Sequence, residues 1–214
     1  CRCDNVPAMP EELSAIVEEA ASTEPVADEV RAIAARLAPD RLDAALAHAF
    51  ELREVDGATV LALAALAQGR PAPAEAVERI FPDSISDRAS QVLVAAHPEA
   101  LAILERMLGS RKLDRYQLAT AAALYTQLHP EPPWPPRLLE ILRTLARARP
   151  GWVGEEWARE AALRVNDPHL DELYGLDRRT EKPDPALFAE LGAAPGIDAL
   201  PASRSNVVAA GFTA

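Results

Sequence analysis

Proline placement limits this chain more than any other feature. Prolines stand at 10, 25, 39, 71, 73, 82, 98, 135, 136, 150, 168 and 185, and many of the steps between them are 14 to 18 residues. Proline fixes φ and lacks an N–H, so a helix accepts it in its first turn and is broken by it further in. Each of these prolines is therefore expected to mark a helix start, and each step to hold one helix and its turn. Between the marks, apolar residues recur at three- and four-residue spacing. Leu42, Ala45, Leu46 and Ala49 form one such stripe; Leu101, Leu104, Met107 and Leu108 form another; Leu138, Leu139, Leu142 and Leu145 form a third. The spacing predicts helices over 10–21, 25–38, 40–53, 57–68, 73–81, 84–96, 98–108, 111–128, 136–148, 151–165, 168–175 and 184–191. Asp40 and Asp56 are read as capping residues, and Asp167-Pro168 and Asp184-Pro185 as an N-cap followed by the first helical position.

Composition points the same way. Of 214 residues 44 are alanine, against four Phe, three Tyr and three Trp. Alanine is the best helix former and takes little volume, which suits close helix packing. Stretches of alternating β-branched and aromatic residues are nearly absent, so an all-α chain is expected. The segment Ala58–Ala67 is apolar nearly all round and is expected to be buried on several sides. Helices this short are unstable alone in water and must bury their stripes against neighbours.

Short helices joined by short turns pack as antiparallel pairs. The stretch from Pro98 to Leu128, turning at Gly109-Ser110, and that from Pro136 to Val165, turning at Arg149-Pro150-Gly151, each read as one pair. Over about residues 25–165 this pattern resembles helical-repeat families of the HEAT and tetratricopeptide kind. The resemblance implies a right-handed α-solenoid whose stacked pairs present an extended concave surface. No segment carries the tetratricopeptide signature in register, and an irregular orthogonal helix bundle would show the same stripes. The expected organisation is a tether over 1–9, a helical-repeat domain over 10–191 and an irregular tail over 192–214, disordered or laid as a strap along the helices. A joint is expected at 129–136, where His-Pro-Glu-Pro-Pro-Trp-Pro-Pro reads as extended polyproline II with Trp134 folded onto the core.

The opening Cys1-Arg2-Cys3, followed by a polar, proline-bearing stretch, resembles the start of a mature bacterial lipoprotein. On that resemblance Cys1 is the lipid-attachment residue, and the protein hangs from a bacterial envelope membrane on its periplasmic face. Without it, the cytoplasm is expected. The most continuous apolar run, Ala58–Ala67, is far shorter than the roughly 20 residues a bilayer requires.

Charge excludes one class of partner. The formal net charge is −11, with thirteen acids and five bases in residues 1–60. Proteins that bind nucleic acid neutralise phosphates with Lys and Arg, so no nucleic acid is expected here. The sequence holds no Gly-x-Gly-x-x-Gly, Walker loop, Gly-x-Ser-x-Gly or Cys-x-x-Cys, and none of its four histidines forms a helical pair, so no cofactor and no metal is expected. Glu156 and Glu160 lie one turn apart with Arg159 and Arg164 in reach and read as a solvated face.

Candidate binding residues are Trp134, the pair Arg143 and Arg147 four apart on one helix, and Trp152 with Trp157 on the next. The expected function is a non-enzymatic scaffold for a protein or peptide partner. The alternative is an all-α enzyme or small-ligand protein with its site near Trp152, Trp157 or the His169 and Asp171 neighbourhood.

Overall fold

The computed structural model describes residues 10–84, 88–184 and 196–201. These form eleven α-helices and a 3-10 turn, with no strand among the described residues. The helices are α1 (Pro10–Ala21), α2 (Ala27–Arg36), α3 (Pro39–Leu52), α4 (Val55–Ala67), α5 (Ala74–Ser84) and α6 (Arg88–Ala95). They continue with α7 (Ala100–Gly109), α8 (Arg115–Leu128), α9 (Pro136–Leu145), α10 (Glu155–Val165) and α11 (Pro168–Tyr174), and the 3-10 turn spans Gly196–Ala199. None of the described helices is long and apolar enough to cross a membrane. The helix expected over 184–191, Cys1 and most of the tail lie outside the described residues.

Prolines 10, 39, 136 and 168 begin α1, α3, α9 and α11, as their fixed φ favours. Pro82 departs from the expectation that every proline opens a helix: it sits in the last turn of α5. Two expected caps also shift. Asp40 and Asp56 lie inside the first turns of α3 and α4, whose N-caps are Ala38 and Glu54. There they face the positive end of the helix dipole instead of closing it. Asp167 does cap α11, accepting from the N–H groups of His169 and Leu170. α8 starts at 115 instead of 111, because Asp114 and Gln117 form a reciprocal capping box. α10 starts at 155 instead of 151, because Gly151 and Gly154 both take positive φ.

Two helices organise the packing. Every residue from Gly57 to Ala65 in α4 is buried, and α1, α2, α3, α5 and α6 all pack against it. Alanine makes this possible, since a helix with many small side chains lets several neighbours approach at once. α1 comes close at Gly57, where a Cβ would stand 3.0 Å from the Val17 carbonyl oxygen of α1 and 3.3 Å from the Val17 side chain. In the second half α8 is buried from Ala119 to Thr126 and is covered by α6, α7, α9 and, most extensively, α10. The hydroxyls that this burial takes from water are satisfied locally: Thr59 donates to the Val55 carbonyl and Thr120 to the Tyr116 carbonyl.

The stretch 129–136 is not a continuous polyproline II rod. It bends at 131–132 and holds a cis peptide bond between Pro132 and Pro133. Trp134 does fold onto the core, edge-on to His129, which is edge-on to Tyr125. At the far end, residues 196–201 return to the first half of the molecule and lie on α2, α4 and α6.

The two glycines at helix contacts and ends predict opposite outcomes. Gly57→Val should lower unfolding free energy by about 1–3 kcal/mol through overpacking against α1. Gly109→Ala, whose Cβ would meet nothing within 4 Å, should leave stability unchanged or raise it by up to about 1 kcal/mol. Urea unfolding of both variants measures the contrast.

Candidate functional site

A cleft of about 750 Å³ lies between the turns on either side of α5 and α6. One wall is Pro71 to Glu75, with Glu78 one turn into α5; the other is His97, Pro98, Glu99 and, on α7, Arg106. Prolines 71, 73 and 98 stiffen both turns by fixing φ. His97 joins them. It is buried at 8% exposure; its Nδ1 accepts the Glu99 N–H at 2.9 Å, and its Nε2 lies 3.1 Å from the Ala72 carbonyl. An accepting Nδ1 requires a neutral ring with the proton on Nε2, so Nε2 donates to Ala72. Arg106 and Glu78 join the two walls with a 2.6 Å ion pair between α7 and α5. Glu75 and Glu99 remain exposed at the rim, so the lining carries three carboxylates against one guanidinium.

The residues singled out from sequence lie elsewhere. Arg143 is half-exposed and pairs with the α11 cap Asp167 at 3.7 Å. Arg147 lies past the end of α9, which stops at Leu145, so the two arginines do not share a helix. Trp152 likewise precedes α10 instead of lying on it with Trp157. Gly154 passes close to both its ring and Tyr116: a Cβ there would come within 2.7 Å of Tyr116 Cδ2 and 3.1 Å of the Trp152 ring. Both Trp152 and Trp157 are half-buried against the core. His169 is exposed, and Asp171 beside it is held by Arg178 through two 2.6 Å bonds. None of these residues lines the cleft.

Glu160 corrects the reading of α10 as a solvated carboxylate face. It is buried at 8%, accepts the Asp184 N–H on both oxygens and pairs with Arg164 at 2.7 Å. Around it, residues 175–184 are stapled onto α10. Arg178 donates to the Leu163 and Ala162 carbonyls, satisfying acceptors at the helix C-terminus. Arg159 reaches the Tyr174 carbonyl and the Glu181 carboxylate. The Asp177 N–H and then Arg159 hold the Glu181 carboxyl below its ordinary range. Burial, then the Glu155 charge, pushes the Tyr174 hydroxyl upward; that hydroxyl donates to the Leu142 carbonyl at 2.8 Å. Burial and the bond to Glu105 raise the Tyr125 hydroxyl to about 12.

One constellation imitates catalysis. Ser14 Oγ is 3.0 Å from His48 Nε2, and His48 Nδ1 is 3.1 Å from Glu51. A nucleophilic serine also needs N–H donors aimed at the developing oxyanion. Ser14 is the fifth residue of α1, so its N–H and those after it are bound within the helix. The trio is a polar seam between α1 and α3. Sequence reading missed it because the two helices meet only in the fold. Among the described residues no group of three or more His, Cys, Asp or Glu is placed to hold a metal ion.

No family model, no curated protein and no solved structure matches this chain.

Two measurements check this geometry. His97→Ala leaves the Ala72 carbonyl and Glu99 N–H without their partner and should cost about 2 kcal/mol in chemical unfolding. Because the Glu181 carboxyl sits below its unfolded value, its contribution is complete above the ordinary carboxylate range and disappears as pH falls through the lowered value. Amide protection over 175–184 should therefore fall on acidification below about pH 4, and Glu181→Gln should reduce that pH dependence.

Proposed function

We propose that this protein is a non-enzymatic scaffold that holds a protein or peptide partner, built as a right-handed solenoid of short antiparallel helix pairs. The order of packing supports the solenoid: the principal helix–helix contacts all join helices no more than three apart in the chain, as expected when units stack in series. The cleft beside α5 carries the binding reading. Its walls are stiffened by prolines, and its free rim charges are negative. A rigid site loses little conformational entropy on binding, and an extended ligand that is itself stiff loses little more. The partner that fits is a basic, extended segment, with lysines or arginines meeting Glu75 and Glu99.

The test uses the full chain and a fluorescein-labelled ten-residue peptide of alternating lysine and proline, with a glutamate–proline peptide as control. Fluorescence anisotropy should show binding of the basic peptide alone. Replacing both rim residues, Glu75→Lys with Glu99→Lys, should weaken it at least tenfold. Raising salt from about 0.05 to 0.5 M should weaken it as well, since exposed charges are screened. Equal binding of both peptides, or an unaffected double variant, removes the cleft as the binding site.

A further inference from the structure

A second groove, unrelated to the cleft, is already occupied by the chain itself. Residues 196–201 lie across α2, α4 and α6 and bury Ala199 and Leu200 to 4% and 5% exposure. α2 begins after Val26, which offers no side-chain cap. Its Ala27 N–H is satisfied instead by the Pro201 carbonyl at 2.9 Å. Arg31 of α2 pairs with Asp198, and Arg88 of α6 donates to the Ala199 carbonyl at 3.4 Å. Beside this contact an open space of about 470 Å³ continues along Leu66, Ala67 and Ala96. Among the described residues the other principal contacts join helices no more than three apart in the chain, whereas this one joins residues 167 apart.

We infer that the α2–α4–α6 groove is a peptide-binding site held shut in cis by residues 196–201. The seated segment defines the ligand chemistry. The groove takes a carboxylate against Arg31, a small apolar residue next to it, and a leucine after that. A main-chain carbonyl then caps the open N-terminus of α2. A partner segment of this acidic–small–leucine–proline character takes the groove when it displaces the strap. Intramolecular competition dominates the apparent affinity: the strap is present at an effective concentration of the order of millimolar, and only the strap-open fraction accepts a ligand. The site requires no catalysis and no contact with the α5 cleft, so the two can fail independently.

The experiment compares the full chain with its Leu200→Asp variant. The probe is a fluorescein-labelled peptide spanning residues 194–203 of this sequence, read by anisotropy. Leu200→Asp places a charge in the buried position and releases the strap, so the variant should bind the peptide at least tenfold more tightly than the unaltered chain. Adding Arg31→Glu to that variant should abolish the gain, as should changing the aspartate of the peptide to lysine. Should Leu200→Asp lower the melting temperature by more than a few degrees, Asp198→Asn with Leu200→Ala carries the same comparison. Equal binding to the closed and opened chains overturns the inference. So does binding that ignores Arg31, or capture of a second copy of the chain in preference to the peptide.

Discussion

Burial of α4 on every side is the constraint on which the first half of the molecule rests. A helix sheathed by five others can present no bulky side chain in more than a few directions. It must also satisfy its own polar groups, because no water reaches them. The run of alanines and leucines from Ala58 meets the first requirement, and the Thr59 bond to Val55 meets the second. Gly57 sets the limit of approach for α1. The positions of α1, α2, α3, α5 and α6 then follow from the surface α4 offers.

The second half repeats this arrangement around α8 but closes it by other means. Its outer layer ends in a segment without regular structure, residues 175–184, which apolar contact alone would not fix. Arginines do it: Arg159, Arg164 and Arg178 bond main-chain carbonyls as well as carboxylates. A guanidinium suits this task because its donors are arranged in a rigid planar fork that can engage a carboxylate and a carbonyl together. Exposed ion pairs such as Arg36–Glu19 and Arg41–Glu12 contribute little by comparison.

Helix positions were legible because proline and apolar spacing are local signals. The boundaries that moved did so for reasons equally local but easily overlooked, such as the Asp114–Gln117 capping box and the positive φ of Gly154. The candidate sites were far less legible. Trp152 and Arg147 lie outside the helices expected to carry them, whereas His169 sits in the first turn of α11, its N–H held by the Asp167 cap. The cleft near His97 is formed by two turns 25 residues apart, and the Ser14–His48 seam by residues 34 apart. No periodicity within one helix reports such encounters. His97 did carry a signal, standing next to Pro98 at a helix boundary, but that position alone does not reveal that its ring would clip a second proline-bearing turn.

The strap also bears on synthesis. A chain whose contacts are mostly between near neighbours can assemble as it emerges, one helix settling on the last. The N–H of Ala27 is an exception: its acceptor is Pro201, far later in the chain. Until that carbonyl arrives, the start of α2 must be capped by solvent or by something else in the cell. The surface that the strap will cover thus has a period of exposure built into every molecule's history, however firmly it is covered afterwards.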